Sequence, residues 1–75
     1  MAQPEYDVIL LQSTSHAMRV EKLLRDAGIG CKMIPVPRHI GTDCGVCIRI
    51  RHQDFDAARC TVQAGGVEIE GICAV

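Results

Sequence analysis

Cys31-Lys32-Met33-Ile34-Pro35-Val36-Pro37-Arg38-His39-Ile40-Gly41-Thr42-Asp43-Cys44-Gly45-Val46-Cys47-Ile48-Arg49-Ile50-Arg51 reads as strand, loop, strand, with no helical period between the two apolar runs. The first run, Cys31 to Val36, is broken by Pro35 and Pro37, which cannot donate to a ladder and so mark its end. In the second, Val46, Ile48 and Ile50 alternate with Cys47, Arg49 and Arg51, the period-two pattern of a strand with one apolar face. Two strands that follow each other directly form a hairpin, and the fold class depends on what flanks them.

Upstream, Tyr6 to Gln12 is a short apolar run rich in branched residues, long enough for a buried strand and too short for a typical helix. From Thr14 the period changes: Ala17, Val20, Leu24 and Ala27 recur at helical spacing with Leu23 beside them. Ser13 or Thr14 can cap this helix, and Gly28 followed by Ile29 suits a left-handed stop with its apolar contact. Downstream, Asp54 and Asp56 fall in the first turn of a second helix, Phe55, Ala58 and Val62 form its inward stripe, and Gly65-Gly66 ends it. Val67 to Ala74 is expected as a fourth strand.

The order β-α-β-β-α-β over one domain, residues 1–75, predicts an α+β ferredoxin-like fold: a four-stranded antiparallel sheet with two helices on one face. Such a topology puts the loop from Val36 to Gly45 at the end of the sheet where the first helix starts. The other sheet face is expected to be bare unless something covers it, which points to a homodimer or a bound partner.

Seventy-five residues leave little room to enclose a substrate. The net charge is −1 with acids and bases interspersed, and the aromatics are one Tyr and one Phe, so neither the basic footprint nor the stacking platform of a nucleic-acid binder is there. No apolar run approaches the roughly 20 residues of a membrane span, and no basic segment with a long apolar core opens the chain. A cytoplasmic protein is expected. Its five cysteines, an odd number, then read as thiols rather than a disulfide framework.

Cys44 stands out among them. It lies on the loop, near Arg38 and His39, and the topology brings it towards the N-terminus of the first helix, where Ser13, Thr14, Ser15 and His16 present backbone N–H groups. Cations and helix N-termini favour the thiolate, which is the nucleophilic form; Asp43 works against it. Filler beside Gly45 is the alternative. Cys44-Gly45-Val46-Cys47 also spells C-x-x-C, but residues three apart on a strand face opposite ways, so a bond between these sulfurs needs a local turn. One such pair leaves two metal ligands to find among Cys31, Cys60, Cys73 and the histidines, and no metal or other cofactor is expected. Cys31 and Cys73 read as sheet residues, Cys60 as a helix residue off the main stripe, and His52 as the lead-in to the second helix.

Ser13-Thr14-Ser15-His16-Ala17-Met18, Glu21-Lys22-Leu23-Leu24, Ala27-Gly28-Ile29, Pro35-Val36-Pro37-Arg38 and Asp43-Cys44-Gly45, in that order, resemble the small bacterial family described as selenium or sulfur carrier proteins. The resemblance covers nearly the whole chain and places the family's Pro, Arg, Cys and Gly on Pro37, Arg38, Cys44 and Gly45. It implies a sulfur or selenium carrier loaded on Cys44 as a persulfide or selenopersulfide, with a cysteine desulfurase or other donor and an acceptor protein as partners. Arg38, His39, Gly45, Ser13, Thr14 and His16 are the candidate anion-binding residues. Two other readings stay open: a non-catalytic interaction module dimerising through the open sheet face, and a thiol redox protein using Cys44 and Cys47.

Overall fold

Alternating and helical periods become elements in the expected order in the computed structural model, which describes residues 5–36 and 45–74, with the first strand ending at Leu10 and the second at Pro35. β1 spans Tyr6–Leu10, α1 Thr14–Asp26, β2 Cys31–Pro35, β3 Val46–Arg51, α2 Phe55–Ala64 and β4 Gly71–Ala74, with a short 3-10 turn over His52–Asp54 leading into α2. The sheet order is β2-β3-β1-β4, and every neighbouring pair is antiparallel. β3 thus lies between β1 and β2, and β1 between β3 and β4. Each helix therefore crosses over one intervening strand, which is the double split β-α-β arrangement of the ferredoxin-like fold.

One face of the sheet carries the main core. Ile9 and Leu11 from β1 and its exit, with Ile48 and Ile50 from β3, pack against Ala17, Val20 and Leu24 of α1 and Ala58 and Val62 of α2. Ala27, expected on the inward stripe, is the C-cap of α1 and is exposed.

Both helices stop the same way. Gly28 has φ 78° and Gly66 φ 72°, left-handed values that cost a side-chain-bearing residue about 1–2 kcal/mol. After α1, the Gly28 N–H donates to the Arg25 carbonyl and the Ile29 N–H to that of Leu24; after α2, Gly66 donates to Gln63 and Val67 to Val62. These paired bonds form the Schellman stop, and the residue after each glycine turns back onto the core.

The second stop corrects one expectation. The fourth strand does not run from Val67; it begins at Gly71. Val67 is committed to the helix stop and is buried, and only at Glu70, whose N–H donates to the Leu10 carbonyl at 2.7 Å, does the chain reach β1.

The opposite sheet face is not bare either. Val8, Leu10 and Cys47 form a second buried cluster there, with Ile34, Val36 and Cys73 half-buried around it. Val8 and Cys47 have no exposed surface at all. Among the described residues the exposed large apolar side chain is Met18, on α1. The apolar centre of the face on which a homodimer was expected is therefore buried within one chain, with Ile34, Val36 and Cys73 half-buried at its margin.

Candidate functional site

The hairpin that presents the cysteine loop is closed by the Val36 N–H donating to the Gly45 carbonyl at 3.2 Å, one step beyond the Pro35–Val46 pair. Cys44, Arg38 and His39 lie outside the described residues. Both ends of their segment are nonetheless fixed at one end of the sheet. Leu10, where β1 leaves for α1, is opposite Cys47 on one side and Gly71 on the other, so the start of α1 and the start of β4 lie at that same end.

Gly45 is exposed, its φ is outside the left-handed region, and no atom of the described residues lies within 4 Å of where a side chain would begin. Nothing in the packing of the described residues requires glycine beside Cys44.

Of the three candidates on α1 and its cap, the structure joins two. Ser13, with extended backbone at φ −154° and ψ 163°, is the N-cap; its Oγ accepts the His16 N–H at 3.3 Å and lies 2.7 Å from His16 Nδ1. The Ser13 side chain thus caps the helix, and the His16 ring braces the capping hydroxyl. With Oγ accepting the backbone N–H, the hydroxyl proton is available to a neutral ring at Nδ1, leaving Nε2 as the ring's other polar atom. His16 is thereby held in the cap and half-buried. Thr14 opens the helix, exposed, with its hydroxyl making no cap bond.

The cysteines separate by environment. Cys47 is wholly buried on the face away from the helices, its Sγ 4.0 Å from the Pro35 carbonyl. Cys31, on β2, is half-buried and directs its Sγ to the Glu21 carbonyl at 3.8 Å. Burial first, and the Glu21 charge second, push its thiol above the ordinary value, with Arg25 acting weakly the other way. Cys73 is half-buried and Cys60 exposed on α2. Among the described residues no cluster of three or more His, Cys, Asp or Glu could hold a metal ion, and no helix is long and apolar enough to cross a membrane.

At the far end of the sheet the structure shows a pair that sequence reasoning missed. Asp7, in the central strand β1, is 1% exposed, and His52 Nδ1 sits 3.0 Å from both of its carboxylate oxygens. His52 is the first residue of the turn into α2, as expected, but its ring also supplies the donor that a buried carboxylate needs. A lone acid inside the apolar run Tyr6 to Leu11 was the signal, since its alternation puts Asp7 on the core side with Ile9.

No curated protein and no solved structure matches this chain. A protein family does: residues 5–74 match the one described as "putative Se/S carrier protein-like". That match spans every element from β1 to β4 and both ends of the cysteine loop, and the chain belongs to the Se/S carrier protein-like family.

Proposed function

We propose that the protein carries one sulfur or selenium atom on Cys44 between a donor and an acceptor protein. Family membership over residues 5–74 is the observation that carries this reading. In the loading step the Cys44 thiolate attacks the outer sulfur of a persulfide on the donor, a cysteine desulfurase or similar enzyme; the donor's S–S bond breaks and its cysteine leaves as a thiolate. Cys44 then bears the persulfide. Unloading repeats the displacement, with an acceptor nucleophile taking the outer atom and Cys44 leaving as thiolate, so no net oxidant is needed. The same displacement moves selenium.

The geometry around the loop supports this. Val36 and Gly45 tie the ends of the segment to the sheet end where α1 begins, which supports a role for the α1 N-terminus in holding the loaded anion. Arg38 and His39, within the loop, stabilise the anionic terminal atom. Cys47 has no part in loading: a sulfur with no exposed surface is out of reach of a donor enzyme.

The test loads wild type, Cys44→Ser and Cys47→Ser with a cysteine desulfurase and cysteine and weighs each intact. A gain of one sulfur on wild type and Cys47→Ser, absent from Cys44→Ser, is expected. Equal loading of Cys44→Ser sinks the carrier reading; loss in both variants with a 44–47 disulfide in wild type replaces it with the redox dithiol.

A further inference from the structure

At the end of the sheet opposite the cysteine loop, three cations share the face that turns away from the helices. Lys32 of β2 is directly opposite Arg49 of β3, and Arg51 follows on the same side of β3, two residues on. Tyr6 of β1 is opposite Arg51, and the Arg49 guanidinium carbon lies 4.4 Å above the Tyr6 ring, the diagonal contact that this register allows. These side chains, with Gly30, Cys31 and Ile50, line a concavity of about 160 Å³.

Like charges directly opposite one another on a sheet are destabilising. A structural arrangement would place a carboxylate between them, and the chain has acids to spare, since its net charge is −1. Yet the ion pairs among the described residues are Arg25 with Glu21 and His52 with Asp7, and none of the three cations of the concavity takes part in one. Asp7, the nearest acid along β1, points to the other face and is held by His52. The positive charge is concentrated, half-preorganised by the Tyr6 stack, and without a counter-charge among the described residues, in a concavity with room for a small ion and its waters.

We infer that Tyr6, Lys32, Arg49 and Arg51 form a binding site for a dianionic tetrahedral oxyanion, either free or as the phosphoryl group of a small organic monoester. Arg49 and Arg51 supply guanidinium donors, Lys32 a third cation, and the Tyr6 hydroxyl a further donor at the rim. From Val46 to Arg51 the strand rises about 17 Å, so this site and the cysteine loop occupy opposite ends of the molecule and can be filled independently.

Amide NMR of the full chain, titrated with sodium phosphate and separately with glycerol phosphate against sodium chloride at matched ionic strength, tests the site. Saturable shifts at residues 30–32 and 49–51 are expected, with affinity about tenfold or more weaker in Arg51→Gln and in Lys32→Gln and unchanged in Lys22→Gln on the exposed side of α1. Similar affinities for both probes identify a free oxyanion, and preference for the ester identifies a phosphoryl-bearing ligand. Shifts no larger than those with chloride, shifts that map elsewhere, or equal weakening by Lys22→Gln overturn the inference. None of these outcomes touches Cys44, so the carrier reading stands or falls separately.

Discussion

Cys60 and Cys31 set the background against which the chemistry of Cys44 is read. A thiolate is the reacting form, so a thiol pushed above its ordinary value is less ionised at neutral pH and reacts more slowly. Cys31 is such a thiol, raised by burial and by Glu21. Cys60, exposed on α2, lacks that burial. Residue-resolved alkylation followed by mass mapping will show Cys31 slower than Cys60 near pH 7, with its rate still climbing above the pH at which an ordinary thiol has levelled off. A Cys31 rate equal to that of Cys60 across the range would mean that its burial does not protect it. Any claim for Cys44 then has to exceed Cys60, not the average of the five.

Elements in this fold are delimited by what their ends do with unpaired backbone groups. Glycine shows this, because one substitution has opposite consequences at two positions. Gly66 holds the left-handed turn that lets Val67 donate to Val62 and pack on the core, whereas Gly45 sits with ordinary φ and open space around it. Gly66→Ala is expected to cost about 1 kcal/mol in urea unfolding, and Gly45→Ala to stay within about 0.5 kcal/mol of wild type. Comparable losses in the two variants would show that Gly45 is a structural residue after all. If Gly45→Ala is stable but loads slowly, the small residue beside Cys44 matters for access.

For the whole molecule the decisive fact is that each sheet face carries a buried apolar cluster. The helix-side core takes ten of the described residues, while Val8, Leu10 and Cys47 close a smaller cluster on the other face. Among the described residues the exposed large apolar side chain is Met18, on α1, so neither sheet face offers one to a second copy. Light scattering should therefore give the mass of a single 8.2 kDa chain at high concentration. A dimer would show that contacts outside the described residues hold two copies together, and it would restore the interaction module as a competing reading.

Local rules alone determined much of this protein. Strand periods at Tyr6 to Leu10 and Val46 to Arg51, the cap at Ser13 and the Gly28-Ile29 stop are all set by neighbours within a few residues, so they can be read along the chain. The same stop at Gly66-Val67 was equally legible in principle, but an apolar run up to Ala74 resembles a strand unless the helix's need to satisfy its last carbonyls is put first. Other features required residues distant in sequence to meet. Asp7 found His52 across 45 positions, Arg49 settled on Tyr6, and Lys32 came to face Arg49 only because β3 inserts between β1 and β2. Pairing between strands depends on which strand ends up beside which, and no periodicity within a strand encodes that; this is why the cysteine loop was visible in the sequence and the cationic concavity at the opposite end was not.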